Sequence, residues 1–185
     1  MTDIRIKMIV PVPLPAEAIA AFASQLPPGL VRPGVAIDFT GVRAGTTCLD
    51  SLFEATMADA FCLEAGLRAE EEGYAAVCLN SMSDSGLAAL RSRLSIPVTG
   101  PGRSSFFLAA DLGKRFSVVT MWPRWHWIYE KLALETGLQS RLASVRDIGV
   151  AQAIRFNPML WQKAAAAAGD RSLAVYVYCR SGGDH

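Results

Sequence analysis

The chain has 185 residues, a formal charge of +1 and a 51% hydrophobic composition. Such a chain can bury a sizeable core, and its near-neutral charge excludes the clustered Lys and Arg excess on which nucleic-acid binding relies. Four widely spaced cysteines, Cys48, Cys62, Cys78 and Cys179, form no CxxC pair and have no histidine at ligand spacing, so neither a disulfide framework nor a metal site is expected. Met1–Pro15 is too short and proline-rich for a signal segment, and no apolar run has the length to span a bilayer. The expectation is a soluble cytoplasmic protein without membrane or nucleic-acid partners.

In chain order, Ile4–Val10 predicts a first strand closed by Pro11-Val12-Pro13. A helix from Pro15 to Gln25 is stopped by Pro27-Pro28-Gly29, and Val35–Phe39 predicts a second strand. Thr47 with Asp50 resembles a capping box ahead of a long helix, Asp50–Glu72, ended by Gly73. Ala75–Leu79 is a short apolar run, as expected of a buried parallel strand. It breaks into the hydroxyl-rich loop Asn80-Ser81-Met82-Ser83-Asp84-Ser85-Gly86, followed by a helix, Leu87–Leu94, and a short strand at Ile96–Val98. In open α/β sheets, ligands bind beyond the carboxyl ends of the strands, which makes this loop the first candidate site.

Gly100-Pro101-Gly102 reads as a hinge or crossover into a second lobe. Ser104–Leu112 predicts a helix, Phe116–Thr120 a strand, and Pro123 the start of a helix carrying Ile128–Glu135. Leu142–Val145 predicts a strand, the alanine-rich Asn157–Ala168 a helix, and Leu173–Tyr178 a last strand leading into Cys179. Strands alternating with helices predict an α/β fold with parallel sheets. A weak internal repeat lays Arg5–Val10 on Arg115–Thr120 and Val77–Ser81 on Val175–Cys179, pairing Ser81 with Cys179.

Asp84-Ser85-Gly86-Leu87, Ile96-Pro97-Val98-Thr99-Gly100 and Leu112–Thr120, in that order, resemble segments of the aspartate/glutamate/hydantoin racemase family. The resemblance implies two similar α/β lobes, residues 1–100 and 101–185, with the site in the cleft between them. It further implies cofactor-independent proton transfer at a carbon next to a carbonyl, by one cysteine from each lobe. The substrate class it implies is a small carboxylate or cyclic amide, and the expected assembly is a homo-oligomer. Related decarboxylases and maleate isomerases share the fold. Three features depart from the pattern. Ser81, preceded by Asn80, stands at the first cysteine position, Val12-Pro13-Leu14 replaces an Asn-Thr-Ser loop, and the chain stops near the second cysteine motif.

Proton abstraction of this kind needs a base on each face for racemisation and donors for the enolate-like charge. A thiolate serves because its pKa can be lowered, whereas a serine hydroxyl is a far weaker base. The resemblance makes Cys179 the candidate acid/base, whereas without it a buried inert thiol is the plainer reading. Ser81 is expected to hold substrate or stand in for the second base, against the plainer role of a turn serine. Pro11, Asn80, Met82, Ser83 and Thr120 are candidate substrate-binding positions. Ser83, Asp84 and Ser85 are equally readable as caps of the following helix, and Cys78 as a core thiol. Trp122, Trp125, Trp127 and Tyr129, with Arg124 and His126, predict an aromatic cluster at a subunit contact or lid. The expected function is an isomerase of the racemase type. The alternatives are a single-cysteine decarboxylase or lyase, and a non-catalytic binding protein on the same fold.

Overall fold

The computed structural model describes residues 4–24, 26–27, 29–148 and 176–180. Two compact units divide it, Met1–Gly102 and Arg103–His185. In the first unit β1 (Ile4–Val10), β2 (Val35–Gly41), β3 (Ala76–Leu79) and β4 (Val98–Thr99) form a sheet in the order β2-β1-β3-β4. Every pairing in it is parallel. The helices between these strands are α1 (Ala16–Ala23), α2 (Leu52–Gly66) and α3 (Leu87–Arg91).

Parallel strands covered by crossover helices are apolar on both faces, and the sequence obeys this. Ile9, Val77, Leu79 and Val98 from the strands pack with Cys62, Leu87 and Leu90 from the helices. At the other end of the strands the polar residues of β1 are paired rather than exposed singly. Arg5 reaches Asp38 at 2.6 Å, and buried Lys7 reaches Glu72 at 2.6 Å. Both cations lie over the Tyr74 ring, at 4.3 and 5.4 Å from its centroid. Asp38, held by the Arg5 guanidinium, has its pKa lowered, and burial pushes the Tyr74 hydroxyl up.

In the second unit α4 (Pro101–Leu112, its first two residues counted with the first unit) precedes β5 (Arg115–Thr120). A 3₁₀ turn, Pro123–Trp125, leads into α5 (His126–Thr136), then β6 (Leu142–Asp147) and β7 (Tyr176–Arg180). The sheet order is β6-β5-β7. Phe106 and Phe116, both buried, meet edge-to-face with centroids 4.9 Å apart, a favoured aromatic geometry. The α/β fold with parallel sheets flanked by helices is as expected. One strand departs from it: β7 pairs antiparallel to β5, as edge strands on parallel sheets often do.

Several expected boundaries move for local reasons. The capping box is Ser51 with Glu54, not Thr47 with Asp50. Ser51 Oγ accepts from the Glu54 N–H, while the Glu54 carboxylate accepts from the Asp50 N–H at 2.6 Å. The long helix ends at Gly66, and 67–73 continues as turns, with Gly73 at φ +80°. That segment is drawn onto β1, where Arg5 takes the Glu72 carbonyl and Lys7 its carboxylate. Gly100-Pro101-Gly102, expected as a hinge or crossover, lies where the first unit ends, and Pro101 opens α4 there, a position that suits proline's missing N–H. The expected helix Asn157–Ala168 lies outside the described residues.

The Cys62 thiol, at the centre of the first core, is pushed by burial up to about 12 from an ordinary 9.0, with Asp59 adding to it. The unfolded thiol thus ionises near pH 9 while the folded one keeps its proton to about pH 12, so stability present below pH 9 is lost between these values. Urea midpoints should therefore fall from pH 9 upward, and less steeply in Cys62→Ala. Parallel declines in the two proteins would contradict this account.

Candidate functional site

The loop after β3 sits at the carboxyl edge of the first sheet. Pro11, buried, follows β1 directly. Beside it the Asn80 N–H donates to the Ile9 carbonyl at 2.7 Å, so Pro11 and Asn80 leave adjacent strand ends together. A turn closes when the Asp84 N–H reaches the Ser81 carbonyl at 3.1 Å. Asn80, Ser81, Met82 and Ser83 are half-buried, open enough to meet a small molecule. The hydroxyls of this loop form a chain: Ser83 Oγ donates to Ser81 Oγ at 3.1 Å and lies 2.8 Å from Ser85 Oγ, which is fully buried. The structure thus brings Pro11, Asn80, Ser81, Met82 and Ser83 to one edge.

Asp84 fixes that loop, in a manner the sequence reading missed. It was read as a cap for the helix that follows it. Yet the N-cap of α3 is Gly86, a left-handed residue at φ +76° that has no side chain to cap with. The Asp84 carboxylate turns instead to α4, accepting from the Gly102 N–H at 2.8 Å. A Cβ on Gly100 would fall 2.2 Å from Asp84 Oδ1, and one on Gly102 would fall 2.4 Å from the Met82 carbonyl oxygen. Asp84 itself is buried and adopts a φ of +51°, a conformation Asp tolerates better than most residues. The missed signal was at Gly100-Pro101: a helix opening there has no side-chain cap of its own and must borrow one.

Cys78, in β3 just ahead of the loop, is half-buried. Burial pushes its thiol up, and the Asp84 charge adds to this. Cys62 is pushed up further, so both thiols stay protonated at neutral pH, and neither matches the lowered pKa that reactive cysteines need. Cys48, Asp50 and Glu54 offer ligand atoms within 4.8 Å of one another. The Glu54 carboxylate there is taken by the helix start and by Cys48 Sγ at 2.9 Å.

In the second unit Thr120 ends β5, is buried, and lies 3.2 Å from the Tyr129 hydroxyl. Tyr129 belongs to this core pair, not to the exposed aromatic group expected for it, and burial pushes its hydroxyl up. The Arg124 guanidinium lies 5.5 Å over the Trp122 ring. His126 Nε2 stands 3.1 Å from Asp147 Oδ2, off the line of a hydrogen bond and shielded from solvent. Cys179 was expected just past a strand. It lies within β7, opposite Phe116 in the antiparallel register, so its setting differs from that of Ser81, which follows a parallel strand.

The sequence profile of the Asp/Glu/hydantoin racemases matches residues 16–174. The chain belongs to this family. A hydantoin racemase of Pseudomonas sp. (strain NS671) is 34% identical over 104 residues, 56% of this chain and 42% of that protein. Another, from Paenarthrobacter aurescens, is 26% identical over 140 residues, 72% of this chain and 56% of that protein. The chain thus spans about half the length of these relatives. Among solved structures, the allantoin racemase of Klebsiella pneumoniae aligns with a TM-score of 0.74 at 28% identity, over 92% of this chain and 69% of that one. The allantoin racemase of Pseudomonas fluorescens gives 0.73 at 24% identity, over 90% and 73%, and shows the shared fold.

The crowding between residues 82–84 and 100–102 yields a test. Gly102→Ala should lower stability by about 1–3 kcal/mol, the usual range for overpacking, measured by urea unfolding. An unchanged midpoint would mean that the loop and α4 are not in close contact.

Proposed function

We propose that the protein is a cofactor-independent racemase of the Asp/Glu/hydantoin type, moving a proton on and off a carbon next to a carbonyl. A cyclic amide is the preferred substrate class, with a small carboxylate as the wider possibility. The observation that carries this proposal is the match of the family profile to residues 16–174. The hydantoin racemase relatives and the allantoin racemase fold neighbour support the cyclic amide.

In this proposal Cys179 is the acid/base, the role that the resemblance to the family gives it. Ser81, at the outer end of the Ser81–Ser83–Ser85 hydroxyl chain, donates to the carbonyl oxygen as negative charge develops there. Preorganised donors aimed at developing charge contribute more than any other single effect in many enzymes. Pro11, Asn80, Met82 and Ser83 are the proposed substrate-binding residues of the first unit, and Thr120 is that of the second. The protein works in the cytoplasm as a homo-oligomer. Serine at position 81 bears on two alternatives, a single-cysteine decarboxylase, for which it explains the missing partner thiol, and a binding protein on the same fold.

Incubation in D2O with allantoin, 5-substituted hydantoins and single amino-acid enantiomers separates these readings, with exchange at the α-carbon followed by NMR. Racemase chemistry predicts exchange accompanied by loss of optical rotation. Cys179→Ala should slow both by about 10²-fold or more, the scale of a lost general acid/base. Exchange that survives Cys179→Ala would remove that residue from the mechanism, and binding without exchange would favour the binding-protein alternative. Ser81→Cys should raise the exchange rate, and a lower rate would contradict the role given to position 81.

A further inference from the structure

We propose that His126, oriented by Asp147, is a further proton-transfer group of this protein, serving a substrate with an acidic carbon–hydrogen bond at the carboxyl edge of the second sheet. The proposal rests on the racemase-type function above and adds a group that the family resemblance does not supply.

The placement follows from how α5 docks. β5 and β6 run parallel with Thr120 opposite Asp147, and the Ile148 N–H closes the ladder on the Thr120 carbonyl at 3.0 Å. Both residues therefore stand at the strand edge where α/β sheets take their ligands. Tyr129 lies three residues after His126 in α5, on the same face of the helix. The Thr120–Tyr129 contact of 3.2 Å seats that face on the end of β5, and the imidazole then meets Asp147 at 3.1 Å. The two side chains remain 30% and 24% exposed. A small molecule can reach them, yet they are screened less than a surface pair.

Nε2 faces the carboxylate and is shielded from solvent, and in this proposal Nδ1 exchanges the proton with the ligand. A carboxylate 3.1 Å from the ring stabilises the imidazolium once it forms. The protein has a use for such a group. Position 81 holds a serine, and the Cys62 and Cys78 thiols are both held protonated. An imidazole can take up and return a proton through a ring nitrogen, and His126 is the internal histidine of two, the other being His185.

The step is balanced without further reactants. The substrate C–H bond breaks, its proton passes to Nδ1 of neutral His126, and its electron pair moves onto the adjacent carbonyl oxygen. Asp147 offsets the imidazolium charge. Return of a proton to the carbon restores the carbonyl and the neutral ring.

The test uses the full chain with allantoin and a 5-substituted hydantoin in D2O, comparing the parent with His126→Gln, Asp147→Asn and Cys179→Ala. His126→Gln should lower the exchange kcat by about 10²-fold with little change in KM. Asp147→Asn should lower it less. It should also alter the imidazole ¹⁵N pattern that reports which nitrogen carries the proton, and allantoin should shift that pattern in the parent. Parental exchange in His126→Gln would overturn the dyad, even where Cys179→Ala has lost activity and the racemase function stands. If the parent exchanges neither substrate, the racemase function falls, and titration of allantoin against the His126 ¹⁵N resonances then decides. A ligand-induced shift supports a ligand-facing imidazole, and no shift overturns it.

Discussion

The Asp84 carboxylate, set on the first turn of α4, is the constraint on which the candidate site depends. Its hydrogen bond to the Gly102 N–H supplies a cap that Gly100-Pro101 cannot, and a missing cap ordinarily costs about 1 kcal/mol. A negative charge at a helix amino end adds a favourable dipole interaction. The cost appears in the loop, where Asp84 takes a left-handed φ and Gly100 and Gly102 have no room for a side chain. Two further anchors complete the hold: Asn80 on the Ile9 carbonyl and the Gly86 N–H on Asp59 Oδ1, each under 3 Å. With both ends and the middle pinned, the Ser81–Ser83–Ser85 hydroxyls keep one geometry.

That same carboxylate shapes the chemistry nearby. It adds to the burial that keeps Cys78 a thiol, so the first unit presents hydroxyls rather than a thiolate at its strand edge. The proton-transfer groups proposed above, Cys179 in β7 and the His126–Asp147 pair beside β6, belong to the second unit.

The parallel first sheet was legible because its strands are short apolar runs bounded by glycine, proline and hydroxyl clusters. The loop at Asn80–Gly86 was legible for the same reason, a polar break at a strand's carboxyl end. What the sequence hid were partners far apart along the chain. Asp84 reads locally as a cap for α3, and nothing nearby says that it serves a helix beginning at Pro101. His126 looks like part of a tryptophan-rich surface until β5–β6 pairing brings Asp147 to it. Tyr129 looks like a member of that surface until Thr120 draws it into the core. Hydrophobic period fixes elements well, but the targets of polar side chains are set by tertiary contact.

Amide hydrogen exchange in Asp84→Gly tests the central claim most directly, because glycine accepts the left-handed turn while the carboxylate is removed. The Gly102 amide and those of residues 81–86 should exchange at least about ten-fold faster than in the parent, equivalent to about 1.4 kcal/mol of local stability. Amides in the middle of β1 should keep their protection. Unchanged protection at Gly102 and across the loop would show that Asp84 does not hold the site.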